Sequence, residues 1–357
     1  MRILYLADAP YIHARRVVEH FAGLGHDCEV ASFRPAEIAG AKVTYIDGFE
    51  RLGKVRYLLH ARRVSRLVRE RAPDLLHALH LTSYGFLGAR SGYHPYIVSV
   101  WGTDILEAPR LTPFHGWLTR YALRHADEIT ATGENLAQAT APYAPAGRAV
   151  RVIPYGADLD LFRPEPRPER DAVVVGTAAR LSVEKGVRYL VEAFARLRQR
   201  FAERVTLRIA GDGPEKGRLQ DLARRLGVDI EFAGWLEHRD LPAFLQGLDI
   251  FVLPSLFEGF GVAAVEAAAM ELPVIGSRVH GIPDVVADGK TGLLVPPRDP
   301  ASLADAIAAL VEDPRRRRQM GAAGRAFVAE HYDWSKNAAQ MERLYCDLAG
   351  SGHGVRG

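Results

Sequence analysis

The chain has 357 residues, enough for two domains at roughly 150 residues each. Hydrophobic residues make up 48% and charged residues 25%, which excludes disorder, collagen and coiled coil; two cysteines, Cys28 and Cys346, exclude a disulfide scaffold and match no metal-ligand spacing. The 46 basic and 43 acidic residues are too balanced to suggest nucleic acid, and the small excess of +3 sits in residues 1–170, with 22 basic against 18 acidic.

The opening MRILYLADAP has a short apolar run closed by Asp8, so it does not read as a signal peptide. No uncharged apolar run approaches the ~20 residues that span a bilayer. With two unpaired thiols, these features predict a cytoplasmic protein. Residues 3–7 predict a buried strand, 13–24 a helix ended by Gly25, and 27–32 a second strand. Runs at 74–79, 96–100, 128–132 and 150–153 have the same short, bounded form. Between them, 54–73 predicts an amphipathic helix carrying Arg62, Arg63, Arg66, Arg69 and Arg71. It reads either as a solvated face or as loose attachment to anionic lipid.

Residues 163–170, RPEPRPER, carry three prolines and predict an extended linker. The pattern then restarts, with strands at 172–177, 205–210, 229–233, 249–253 and 273–276. Helices are predicted at 187–200, 215–226, 240–247 and 262–271. Strands alternating with helices imply parallel sheets covered on both faces. The expected domains are 1–162 and 163–335, with 336–357 as a final helix and tail. Two such units create a cleft, and ligands bind such sheets beyond the carboxyl ends of the strands.

The densest motif is FEGFGVAAVEAAAME, 257–271. Gly259 and Gly261 flank Phe260 before an Ala-rich helix. The first helical N–H groups, near Val262 and Ala263, lack internal partners and form an anion site. Glu266 is the only charge in that helix before Glu271. A buried carboxylate needs partners. A ribose diol about one turn past a phosphate-capped helix start fits, and so does a set of protein donors. In GTAARLSVEKG, 176–186, Arg180 and Lys185 follow a strand and could neutralise a departing diphosphate without a metal, or be solvated loop charges. IAGDGPEKGRL, 209–219, is a Gly-rich turn and a weak signal by itself.

The succession VIPYGADLDLF, GTAARLSVEKG, IAGDGPE, FAGW, DIFVLPSLFEGFGVAAVEAAAMELPVIGS, GIPDVV and DGKTGLLVPPRD resembles the family-four retaining glycosyltransferases, glycosyl transferases of group 1. The likeness is dense over residues 150–335 and looser before them. It implies the GT-B fold, an α/β class with two facing Rossmann-like domains and a cleft between them. By position, Arg180 and Lys185 would contact the donor diphosphate and Glu258 the donor sugar. Phe260, Gly261, Val262 and Ala263 would offer backbone N–H groups, and Glu266 would hold the ribose. The base would sit near Trp235, and 281–283 would line the same cleft. The helix around 336–349 would cross back onto the first domain.

The first half departs from the family pattern. The loop after the first strand reads DAPYIHARR, without the paired glycines of many relatives, leaving His13, Arg15 or Arg16 for its work. Where relatives place a histidine before a glycine, SVWGTDIL has Trp101, which can stack on a sugar but cannot move a proton. Asp104 is the nearest polar candidate. Of His77 and His80, His80 is expected nearer the ligand. The pair Asp158 and Asp160 reads as a capped turn rather than a metal site. The resemblance implies transfer of a hexose from a UDP-sugar, or next GDP-mannose, to a sugar or lipid-linked acceptor, with no cofactor or metal. A sugar-nucleotide epimerase and a non-catalytic nucleotide-sugar-binding subunit are the alternatives.

Overall fold

Alternating apolar runs become strands wherever helices cover both of their faces. The computed structural model describes residues 1–46, 56–166 and 170–351. Residues 54–55 of the basic stretch, 167–169 of the proline-rich segment and 352–357 lie outside the described residues. By contacts the chain divides into two units, Met1–Pro154 with Ala339–Gly357, and Tyr155–Ala338.

In the first unit seven parallel strands run in the order β3-β2-β1-β4-β5-β6-β7. They are β1 (Arg2–Leu6), β2 (Asp27–Ser32), β3 (Ala41–Tyr45), β4 (Leu75–Leu79), β5 (Tyr96–Val100), β6 (Glu128–Ala131) and β7 (Arg151–Val152). Central β4 and β5 are buried along their whole length, so they read as largely apolar runs, broken only by His77 and Ser99. Strand β3 is half-buried at the sheet edge, and its mixed AKVTY gives no such signal. One face of the sheet is covered by helices Arg56–Arg71, Phe86–Ser91 and Pro113–His125, the second packing on both others. His77 on β4 is a core residue: its Nδ1 is 2.7 Å from the Tyr345 hydroxyl and its Nε2 is 2.7 Å from Ser99 Oγ. Burial pushes this imidazole down to about 3, so it is neutral.

In the second unit six parallel strands run in the order β10-β9-β8-β11-β12-β13. They are β8 (Val173–Ala178), β9 (Val205–Ala210), β10 (Glu231–Gly234), β11 (Ile250–Leu253), β12 (Val274–Ser277) and β13 (Gly292–Val295). Helix Val187–Phe201 buries Val187, Leu190, Val191, Phe194, Leu197 and Phe201 against the sheet, one stripe of a 3.6-residue period. Helix Val262–Ala269 is buried nearly all round, as its composition predicts. Small residues let helix Pro314–His331 pack closely on it: a Cβ at Gly324 would meet Ala268 Cβ at 3.4 Å.

The division falls at Pro154, before the proline-rich segment, because the second unit holds residues 155–162. Ala157 N–H donates to the Tyr332 carbonyl at 2.9 Å, and Trp334 N–H donates to the Ala157 carbonyl at 3.0 Å. Phe162 is fully buried, and its carbonyl accepts from Arg325 at 2.9 Å. Helix Trp334–Ser351 starts in the second unit and from Ala339 belongs to the first, where Tyr345 packs on Phe21 at 4.8 Å between ring centroids.

Candidate functional site

Strand order reverses between β8 and β11, the switch point at which two diverging connections leave a crevice. The two loops at that point carry Arg180, Lys185 and Glu258. The loop after β8 is held on both sides by backbone. Toward β9, Leu181 N–H donates to the Asp212 carbonyl at 2.8 Å and Glu215 N–H donates to the Leu181 carbonyl at 2.9 Å. The Gly-rich turn 211–213 is therefore a brace: a Cβ at Gly213 would lie 2.4 Å from the Leu181 carbonyl oxygen. Toward β11, Leu256 N–H donates to the Glu184 carbonyl at 2.8 Å.

This bracing brings Lys185 Nζ to 2.7 Å from Glu258 Oε2, and Ser255 Oγ donates to the same oxygen at 3.3 Å. Both charged side chains are largely buried, 26% and 14% exposed, so the pair is weakly screened by water. Arg180 is exposed on the same loop and makes no ion pair among the described residues. Three residues after Glu258, Gly261 adopts φ +96°, a conformation open to glycine, and starts helix Val262–Ala269. The N–H groups of Val262 and Ala263 have no acceptor within the helix, and both residues are only half-buried. The Phe260 ring points inward and packs on Tyr332 at 5.4 Å, so this residue can offer a ligand its backbone only. Gly281 N–H donates to the Glu258 carbonyl at 3.2 Å and anchors the loop from β12.

Glu266 is 6% exposed, and its Oε1 is 2.8 Å from Nε2 of His238. His238 follows β10, and no sequence motif marks it, because 28 residues separate it from its carboxylate. Trp235 stands three residues before it, 64% exposed, with Nε1 donating to Glu237 at 3.2 Å. An exposed aromatic ring, a buried carboxylate and a braced cation–carboxylate pair thus share one unit.

At the corresponding edge of the first unit, Asp104 is 1% exposed. Its Oδ2 accepts from Leu81 N–H at 2.9 Å, and its Oδ1 accepts from Gly102 N–H at 2.7 Å and from Trp101 N–H at 3.1 Å. These bonds tie the loop after β4 to the loop after β5, a positioning geometry for this carboxylate. His80 takes φ +144°, a strained value for a side-chain-bearing residue, and its Nδ1 lies 3.2 Å from Ser83 Oγ. Trp101 meets Tyr11 at 5.7 Å, and Tyr11 meets His13 edge-on at 5.2 Å. Tyr11, 43% exposed, was not singled out by sequence, although it lies in the loop that departs from the family. Arg16 is half-buried on helix Ile12–Gly23. Asp158 Oδ1 accepts from the Asp160 and Leu161 N–H groups at 3.0 and 3.1 Å, a capped turn.

Residues 160–327 match the family model described as glycosyl transferases group 1, and residues 2–133 the one described as glycosyl transferase 4-like. The chain is 32% identical over 317 residues to a GDP-mannose-dependent alpha-(1-6)-phosphatidylinositol monomannoside mannosyltransferase of Mycolicibacterium smegmatis, covering 80% of this chain and 79% of that one. It is 34% identical over 233 residues to a glycogen synthase of Mycobacterium tuberculosis, covering 63% of this chain but 55% of that one. Two solved structures share its GT-B fold. Sucrose-phosphate synthase of Thermosynechococcus elongatus has a TM-score of 0.85 at 22% identity, over 98% of this chain and 100% of that one. Anabaena HepE in complex with UDP has a TM-score of 0.82 at 21% identity, over 98% and 100%.

Proposed function

Because the chain belongs to the group 1 glycosyl transferases, we propose that it transfers a hexose from a nucleoside diphosphate sugar to an acceptor hydroxyl with retention of anomeric configuration. The observation that carries this is the Lys185–Glu258 pair at the β8/β11 switch point, beside the open N-terminus of helix Val262–Ala269. A diphosphate there meets Lys185, Arg180 and the Val262 and Ala263 N–H groups. These neutralise the charge that develops as the glycosidic bond breaks, in the way a fixed set of donors stabilises a transition state, and no metal or cofactor is assigned. Glu258 orients the sugar, Glu266 takes the ribose, and the base lies by Trp235. In a retaining reaction a leaving-group oxygen can accept the acceptor's proton. The first unit then needs no general base, which is consistent with Trp101 in its loop and with an Asp104 carboxylate committed to backbone. His13, Arg16, His80 and Trp101 are assigned to the acceptor.

UDP-sugars are the first donors to test and GDP-mannose the second; HepE is solved with UDP, and the M. smegmatis relative is GDP-mannose-dependent. A thermal-shift screen of nucleoside diphosphates is expected to single out one base. Ligand at a hundredfold excess over its Kd stabilises by about 2.7 kcal/mol, or roughly 5–11 °C in a domain this size. With the matching sugar donor and an acceptor, a glycoside of retained configuration is expected, undiminished by EDTA. Epimerised donor in the absence of acceptor, or binding with no turnover across a broad acceptor panel, would overturn the transferase reading.

A lipid-linked acceptor and a cytoplasmic, membrane-peripheral location are part of the proposal. Among the described residues no helix is long and apolar enough to cross a membrane. The helical layer of the first unit nevertheless exposes Arg62, Arg63, Arg66 and Arg69 on one helix. A separate segment of the same unit exposes Leu111, Phe114 and Trp117 at 59%, 49% and 52%, with Arg110, Arg120 and Arg124 close in sequence. Basic and aromatic side chains together suit an anionic headgroup surface. The protein is expected to co-sediment with phosphatidylglycerol-rich vesicles at low salt. Phe114→Ser with Trp117→Ser is expected to weaken this about tenfold. No sedimentation of the unaltered protein at low salt would remove the membrane from the proposal.

A further inference from the structure

His238 stands between two fixed groups. Its ring meets that of the fully buried Phe162 at 5.4 Å and 64°, and its Nε2 lies 2.8 Å from Glu266 Oε1. Glu266 is on a helix whose neighbouring residues are all buried, so its backbone cannot shift to suit a ligand. Among the described residues, His238 is the one side chain that bonds this carboxylate.

We infer that His238 is a positioning residue: it fixes which oxygen of Glu266 is presented to the donor, and so sets how strongly the site distinguishes a ribose from a deoxyribose. The inference rests on the ribose role proposed for Glu266. A carboxylate offers about four lone-pair sites. The His238 N–H occupies one on Oε1 and stops rotation of the group, leaving Oε2 and the remaining Oε1 lone pair for hydroxyl donors. Donation requires the imidazole proton on Nε2, which the carboxylate partner selects. Without His238 the carboxylate must be immobilised by the ligand itself, and most of the hydroxyl's contribution is lost on binding. His238 touches neither sugar nor diphosphate in this arrangement, so its removal is expected to change KM and leave kcat at saturating donor unaltered.

The test uses calorimetry on the full chain with whichever of UDP and GDP binds more tightly, and with its 2′-deoxy and 3′-deoxy counterparts. One hydrogen bond to a charged group separates the ribonucleotide from a deoxynucleotide by roughly 10–100-fold. In His238→Ala the separation is expected to collapse to within about threefold, through weaker ribonucleotide binding alone. His238→Gln, whose amide can donate in place of the imidazole, is expected to restore most of it. If the unaltered protein binds the ribo and both deoxy forms equally, the ribose role of Glu266 fails, and the inference with it. If the unaltered protein discriminates and His238→Ala discriminates as well, the inference alone fails. Equal weakening of all three ligands in His238→Ala would assign His238 a purely structural role and overturn it too.

Discussion

Lys185→Ala is expected to lower kcat at saturating donor by on the order of 10²-fold, the usual cost of removing one fixed donor from a developing anion. Lys185 Nζ is held 2.7 Å from Glu258 by a loop braced on both sides, so its charge is in place before any ligand arrives. The variant leaves Glu258, 14% exposed, with Ser255 as its one remaining side-chain partner among the described residues, so some stability is lost as well. Melting temperature must therefore be measured beside turnover. A folded variant with kcat within threefold of the original would refute the role of Lys185 in charge neutralisation. Arg180→Ala, with no ion pair to lose among the described residues, isolates the same effect without the stability penalty and is expected to cost at least tenfold. Near-normal turnover in both variants would sink the assignment of the diphosphate to this loop.

Gly186→Ala is expected to abolish measurable turnover and to lower stability by about 3 kcal/mol, or roughly 6–12 °C. Gly186 adopts φ +62°, and a Cβ there would stand 2.1 Å from the Pro254 carbonyl oxygen. No side chain can yield to relieve that contact, because both groups are backbone. The loops after β8 and β11 must separate, and with them Lys185 and Glu258. Gly217→Ala is the matched control: Gly217 is exposed near the start of helix Lys216–Leu226, with nothing within 4 Å of the added methyl. That change is expected to stabilise by about 0.4–1 kcal/mol. A Gly186→Ala variant that melts no lower than the original protein would show that close approach at Gly186 is not what holds the site together.

Much of the fold was readable from local pattern. Residues 27–32, 96–100 and 205–210 are strands with the predicted bounds, because each is a short apolar run with polar or turn residues at both ends. Strands β3 and β13 escaped for a physical reason. A half-buried edge strand such as Ala41–Tyr45 needs few apolar residues, and Gly292–Val295 is likewise an edge strand, only partly buried and opening on a glycine. The Gly-rich turn 211–213 is a weak signal in sequence, more often a connection than a phosphate loop, and in the fold its glycines permit close approach of the β8 loop.

The sequence alone determined residue types along the chain: two α/β units, an Ala-rich buried helix after a glycine turn, and the carboxylates and cations placed near strand ends. Those follow from hydrophobic periodicity and from backbone preferences, which act over a few residues. What each charged group touches was decided only by tertiary structure. Lys185 meets Glu258 across 73 residues, Glu266 meets His238 across 28, and Asp104 closes on Leu81 across 23. Composition and spacing carry no record of such pairings. They arise because parallel strands deliver distant loops to one sheet edge, where a buried charge is stable only with a partner. A lone Glu266 in an apolar helix therefore marks a carboxylate in need of a donor, but only the folded chain supplies His238.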